Sequence, residues 1–255
     1  MKSHMFKYIT TTFLFSWFFW ILVAVAGKIG IYWMSYDSIL GKIFYVIGGL
    51  APTICEVWLQ RKSISNKKEF RKYLKTIVNI KQAKILYVYA IGGAVAIFGI
   101  PVFFGFGTWK SPFYIGVLLI LPMILGGGLE EIGWRGFLQP ELEKKLSHWK
   151  ATLLVSIIWA FWHLPLWWID GTNQSNMNFG WFCLYAITLS LFIGSVYFVS
   201  KSIFMAILAH AAINGFGEVC QVIDRIFPTI CILIVVACIT LFIDGYVQKM
   251  RIHAK

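Results

Sequence analysis

Residues 113–140 read FYIGVLLILPMILGGGLEEIGWRGFLQP. A helix crosses a bilayer with about 20 apolar residues at about 1.5 Å each, and this run has that length while carrying Glu130, Glu131 and Arg135. Left facing lipid, three such charges would cost on the order of 8 to 10 kcal/mol if simply summed. They must face protein or water, so the run belongs inside a bundle of helices. On a regular helix Glu131 and Arg135 lie one turn apart on one side, carboxylate against guanidinium. Glu130 points about 100° away, off the face of that pair. Glu131 and Arg135 therefore read as a supporting pair and Glu130 as the acid suited to chemistry. The bland alternative is a buried ion pair that only ties the bundle together, with Glu130 near the interface. Gly126, Gly127 and Gly128 also have two readings, close packing between helices or a local break beside the acids.

The rest of the chain supplies the bundle. Of 255 residues, 59% are hydrophobic and 13% charged, with a mean hydropathy of +0.73. A soluble domain carries about a quarter charged residues, so that class is excluded, and disorder, collagen and coiled coil fall with it. Apolar runs cover roughly 8–26, 39–59, 85–107, 113–139, 151–169, 180–199, 202–219 and 229–247. None shows the alternation of a membrane barrel strand. The expected fold is all-α, a polytopic bundle of about eight spans. No repeat or linker divides it, so residues 1–255 read as a single membrane-embedded domain.

The net charge of +12 is distributed as a membrane protein distributes it. With the N-terminus inside, 18 Lys and Arg side chains fall in cytoplasmic segments and 4 outside (Lys28, Lys42, Lys110 and Arg225), the bias of the positive-inside rule. Both termini are then cytoplasmic. Ala24-Val25-Ala26 offers a competing reading of the first run as a cleaved signal peptide, but the run is long and aromatic for that role, and it is kept as a helix. Segment 60–84 is polar: Phe70, Tyr73, Leu74, Ile77 and Val78 share one helical face, with Lys67, Lys68, Arg71, Lys72 and Lys75 on the other. Such a basic amphipathic helix suits the anionic cytoplasmic leaflet; the bland reading is a solvated loop that enforces topology. Neither needs nucleic acid. The five cysteines lie in apolar runs without paired spacing and read as small core residues.

Few other ionisable groups interrupt the runs. His163 follows Trp159 by four residues, and His210 precedes Asn214 by four. Alone, each is more often a hydrogen-bonded core group. Counting along the helices puts Glu130 and His210 near mid-membrane and His163 about one turn away, so three helices could surround one polar cavity. A carboxylate in a partly dehydrated pocket can deprotonate water, with an imidazole orienting it. A second imidazole and an amide one turn apart can donate to a developing oxyanion. Equally, Glu130, His163 and His210 form a three-ligand set for a catalytic zinc with one open position. A non-catalytic scaffold and a proton-coupled transporter are the readings from other classes.

These residues resemble the CPBP family of intramembrane proteases, the CAAX-protease and bacteriocin-processing group also called the Abi family. Its pattern is E-E-x-x-x-R, F-x-x-x-H and H-x-x-x-N on separate membrane helices. Here it is met by Glu130-Glu131 to Arg135, Trp159 to His163 and His210 to Asn214, within a core of residues 113–219. Trp159 stands where the family has Phe and keeps an aromatic wall. The resemblance implies Glu130 as general base with His163 on the nucleophilic water, and His210 with Asn214 as the oxyanion site. Glu131 and Arg135 support them, and no cofactor is needed in the preferred, metal-independent version. It implies an endopeptidase acting on a membrane-associated peptide or protein, or a bacteriocin-immunity protein acting by partner binding. Lys and Ile richness fits a bacterial cell membrane.

Overall fold

The computed structural model describes residues 2–61, 63, 64, 66–222, 234, 237–247 and 249. In chain order the helices are α1 (Lys2–Lys28), α2 (Ile39–Gly49), α3 (Ala51–Gln60), α4 (Lys67–Ile77), α5 (Lys84–Phe103), α6 (Phe113–Met123), α7 (Glu131–Gly133), α8 (Gln139–Glu143), α9 (His148–Trp162), α10 (Phe179–Ser200) and α11 (Ile203–Val219). A last helix, α12, covers Ala237–Val247. The sole departure from all-α among the described residues is a pair of three-residue strands, β1 (Gly107–Trp109) and β2 (Cys220–Val222), antiparallel with Thr108 opposite Gln221.

Each apolar run seen in the sequence carries helix, but not one uninterrupted helix each. Among the described residues, four helical segments are long and apolar enough to cross a membrane, and counting each of two bent pairs as one span brings the number to six. The runs ending in α11 and α12 hold shorter helices. The second run bends by 52° between α2 and α3, and Pro52 explains it. Proline lacks the N–H that would bond the carbonyl four residues back and its ring crowds that carbonyl. That carbonyl is Gly48 O, and Ser16 Oγ of α1 donates to it at 2.8 Å. The freed acceptor is thus satisfied inside the protein, as a membrane interior demands.

Side chains are sorted as lipid requires. Ile85, Leu118 and Leu121 are exposed, while Thr12, Ser16, Gln139, Thr152 and Ser195 are fully buried. Apolar groups face outward and these polar groups are kept inside, the reverse of a soluble surface.

The chain divides into two compact units, each built from separated stretches. The first joins the residues up to Phe70 to Ile132–Ile187. Its centre is aromatic: the Trp162 indole N–H donates to Ser16 Oγ at 2.6 Å, and the Trp17 indole N–H donates to the Trp162 carbonyl at 2.9 Å. Tyr8, Ser16 and Trp20 of α1 are buried there, so this helix is core to its unit and not an appendage.

The second unit joins Arg71–Glu131 to the described residues from Thr188 onward. Here α11 lies against α5 and α6, and small residues permit the approach. A Cβ on Gly116 would stand 2.6 Å from the Phe216 ring, and one on Gly215 would stand 2.8 Å from the Gly116 carbonyl. The C-terminal helix is tied in by polar groups: Ser195 Oγ of α10 donates to the buried Asp244 carboxylate of α12, and Tyr89 OH of α5 lies 2.8 Å from Ser195 Oγ.

Candidate active site

The fourth run breaks where the glycines stand. Helix α6 ends at Met123 after Pro122, the chain turns, and Gly127 takes φ +139°, a conformation that side chains of L residues rarely adopt. A single 3-10 turn (Gly128–Glu130) follows, then α7, then one π-helical stretch (Trp134–Leu138) before α8. π-Turns inside helices are frequent at functional sites. The regular wheel used to pair Glu131 with Arg135 therefore does not describe this segment. Glu130 and Glu131 close the second unit and Arg135 belongs to the first. All three are buried, Glu131 and Arg135 completely.

Within the second unit the structure gives Glu131 a partner that spacing could not supply. His210 Nδ1 lies 2.7 Å from Glu131 Oε1, and both side chains are shut away from solvent. The ring N–H donates and the carboxylate accepts, so Nδ1 is committed and Nε2 is the nitrogen turned toward chemistry. One turn along α11, Asn214 Nδ2 donates to the Gly126 carbonyl at 2.9 Å. An amide NH2 has two hydrogens, and that bond uses one. The two residues converge on the same backbone: a Cβ built on Gly127 would lie 2.4 Å from Asn214 Nδ2 and 3.1 Å from His210 Nε2. Glu130 is 6% exposed on the same glycine-led turn, its N–H donating to the Gly127 carbonyl at 3.0 Å. The unit thus brings Glu130, Glu131, His210 and Asn214 together around the Gly126–Gly128 backbone.

His163 is set within the first unit. It caps α9 where Pro165 ends the regular helix. Its Nδ1 donates to the Trp159 carbonyl at 2.8 Å, which leaves Nε2 as the basic atom of the neutral ring. Trp159, Trp162 and Phe182 surround the imidazole edge-on at centroid distances of 4.9, 4.7 and 5.2 Å, and Trp20 stacks at 6.3 Å. The aromatic wall expected at position 159 is present, and its backbone carbonyl holds the ring as well. An imidazole so packed has one orientation.

Among the described residues, no three His, Cys, Asp or Glu side chains form a group that could hold a metal ion. Two buried acids escaped the sequence reading: Glu56, which accepts from Gln60, and Asp244. Both sit near the ends of their runs, where an acid is ordinarily read as interfacial.

Comparison with known proteins converges on the same segment. Residues 111–216 match the family model for type II CAAX prenyl endopeptidases, Rce1-like. That stretch contains all three motifs. The chain is also 28% identical over 269 aligned residues, 92% of each protein, to the CAAX prenyl protease 2 of Methanococcus maripaludis.

Proposed function

We propose that the chain is an integral membrane endopeptidase of the Rce1-like CAAX type, a reading supported by the family match over residues 111–216 and by the 28% identity to a CAAX prenyl protease 2, and that it cleaves a membrane-associated peptide or protein with a water activated by Glu130 and His163. Glu130, buried beside the glycine turn, takes the proton from water. His163, its Nδ1 engaged by the Trp159 carbonyl, orients that water through Nε2. Attack on the scissile carbonyl produces an oxyanion, which accepts from the second N–H of Asn214 and from Nε2 of His210 in its doubly protonated form. Preorganised donors of this kind are worth about 10²–10³ in kcat each. Glu131 holds the His210 ring through Nδ1, and Arg135 supports the acids from the following turn of chain.

The observation that carries the reading is the buried Glu131–His210 bond with Asn214 beside it, since it directs two donors at one stretch of backbone. The chemistry runs without a metal in this proposal. Peptide release from an anchored substrate tests it, with Glu130→Ala and His163→Ala assayed beside the parent protein and beside parent treated with chelator. Each substitution is expected to abolish release while the protein still inserts, and chelation to leave the parent unchanged. Full activity in both variants would remove the assignment.

The substrate class we propose is a peptide held at the cytoplasmic membrane face. The Methanococcus maripaludis relative is named for prenyl substrates, so a prenylated C-terminal peptide and its unmodified counterpart are the informative pair to assay. Helix α4 keeps the protein against anionic lipid: Phe70 and Leu74, with Val78 just past its end, are exposed apolar groups beside Lys67, Lys68, Arg71, Lys72 and Lys75.

A further inference from the structure

We propose that Gly127 is a positioning residue of the oxyanion site, required because its missing side chain is the space in which Asn214 is held. The inference rests on the assignment of Asn214 and His210 as oxyanion donors and adds the element that aims them.

Two independent features of Gly127 point the same way. Its φ of +139° lies in a region open to glycine and disfavoured for residues with a Cβ. The direction in which a Cβ would project is occupied: Asn214 Nδ2 would be 2.4 Å away and His210 Nε2 3.1 Å away. Real Cβ atoms do not approach a nitrogen to 2.4 Å, so a methyl group there displaces the carboxamide. Asn214 cannot move without consequence, because the same nitrogen donates to the Gly126 carbonyl next door. That bond orients the amide plane and so sets the direction of the second N–H. Displacing the group loses the Gly126 bond and swings the remaining hydrogen off the oxyanion. Its neighbour His210 is anchored through Nδ1 by Glu131, so the strain falls first on Asn214.

Neighbouring glycines do not share the role. A Cβ on Gly126 would face the Met123 sulfur at 2.9 Å, and one on Gly128 the Ile207 carbonyl and side chain at 3.1 and 3.2 Å. Gly127 alone of the three both takes positive φ and abuts the two donors.

A double-mutant cycle between positions 127 and 214, read as kcat and KM for peptide release, separates this role from a general need for glycine. Gly127→Ala is expected to lower kcat by about 10–100-fold, within the range for loss of one oxyanion donor, with KM within about twofold. In the Asn214→Ala background, where the carboxamide is gone, Gly127→Ala is expected to cost less than about threefold further, since coupled residues are strongly non-additive. Equal losses in both backgrounds, or a fully active Gly127→Ala, would overturn the proposal. Should Gly127→Ala fail to accumulate in the membrane, recovery of the protein in the double variant supports displacement through Asn214, and failure of both overturns it. An Asn214→Ala protein with full activity would instead sink the oxyanion assignment itself.

Discussion

Glu131 holds the ring of His210 by a 2.7 Å bond in which neither side chain meets solvent. Removing only its charge is the sharpest single-residue test. Glu131→Gln keeps an acceptor oxygen and nearly the same volume, but a bond to a neutral acceptor is roughly half as strong as one to a carboxylate. A loss of about 1.5 kcal/mol in holding the imidazole corresponds to roughly tenfold. Glu131→Gln should therefore lower kcat by about tenfold with KM little changed, and Glu131→Ala by more, in steady-state peptide release at matched thermal stability in detergent. A Gln variant as fast as the parent would show that the bond is merely structural. At this scale the sequence was partly legible. The four-residue spacing of His210 and Asn214 places both on one face of α11 from periodicity alone. Their partners were not legible, because Glu131 lies 79 residues from His210 in sequence and the Gly126 carbonyl belongs to a turn with no periodicity.

Elements repeat the pattern: helices could be read from apolar runs, whereas their interruptions had to be inferred from single residues. Gly126–Gly128 marked the break after α6, and Pro52 accounts for the bend after α2. The π-helical stretch at Trp134–Leu138 had no signal, since one extra residue per turn leaves composition unchanged. It matters because the regular 3.6-residue wheel no longer describes the chain between Glu131 and Leu138. The amphipathic pattern was legible, and within segment 60–84 it forms helix over Lys67–Ile77. Its basic face and an apolar stripe are both present in α4, with Phe70 and Leu74 exposed and Ile77 buried, and exposed Val78 follows directly after its end. If that helix rests on an anionic leaflet, each basic residue contributes about 1 kcal/mol of attraction near the surface. Replacing Lys67, Lys68, Arg71, Lys72 and Lys75 together by Gln should then erase most of the difference in activity between vesicles of zwitterionic lipid and vesicles containing anionic lipid. The parent is expected to work faster in the latter. Equal rates of the parent in both vesicles would leave α4 as a topological marker only.

On the scale of the whole molecule, the charge distribution and the site make one joint demand. The acids, imidazoles and amide come from the middle of runs whose order in the membrane is set by where the Lys and Arg side chains stay. Eighteen of them fall on one side of the proposed topology and four on the other. Moving any single run out of the membrane would invert every later segment and mix the two sets, so the imbalance constrains all runs together. The orientation can be read by labelling intact cells with a membrane-impermeant maleimide after the native cysteines are replaced. Cysteines placed at exposed Thr108 and Asn173 are expected to react, because the eight-run topology assigns both to outward connections. Cysteines at exposed Ser63 and Lys145 are expected to react only after the cells are permeabilised. Reaction at all four sites in intact cells, or the opposite pattern, would break the eight-run topology.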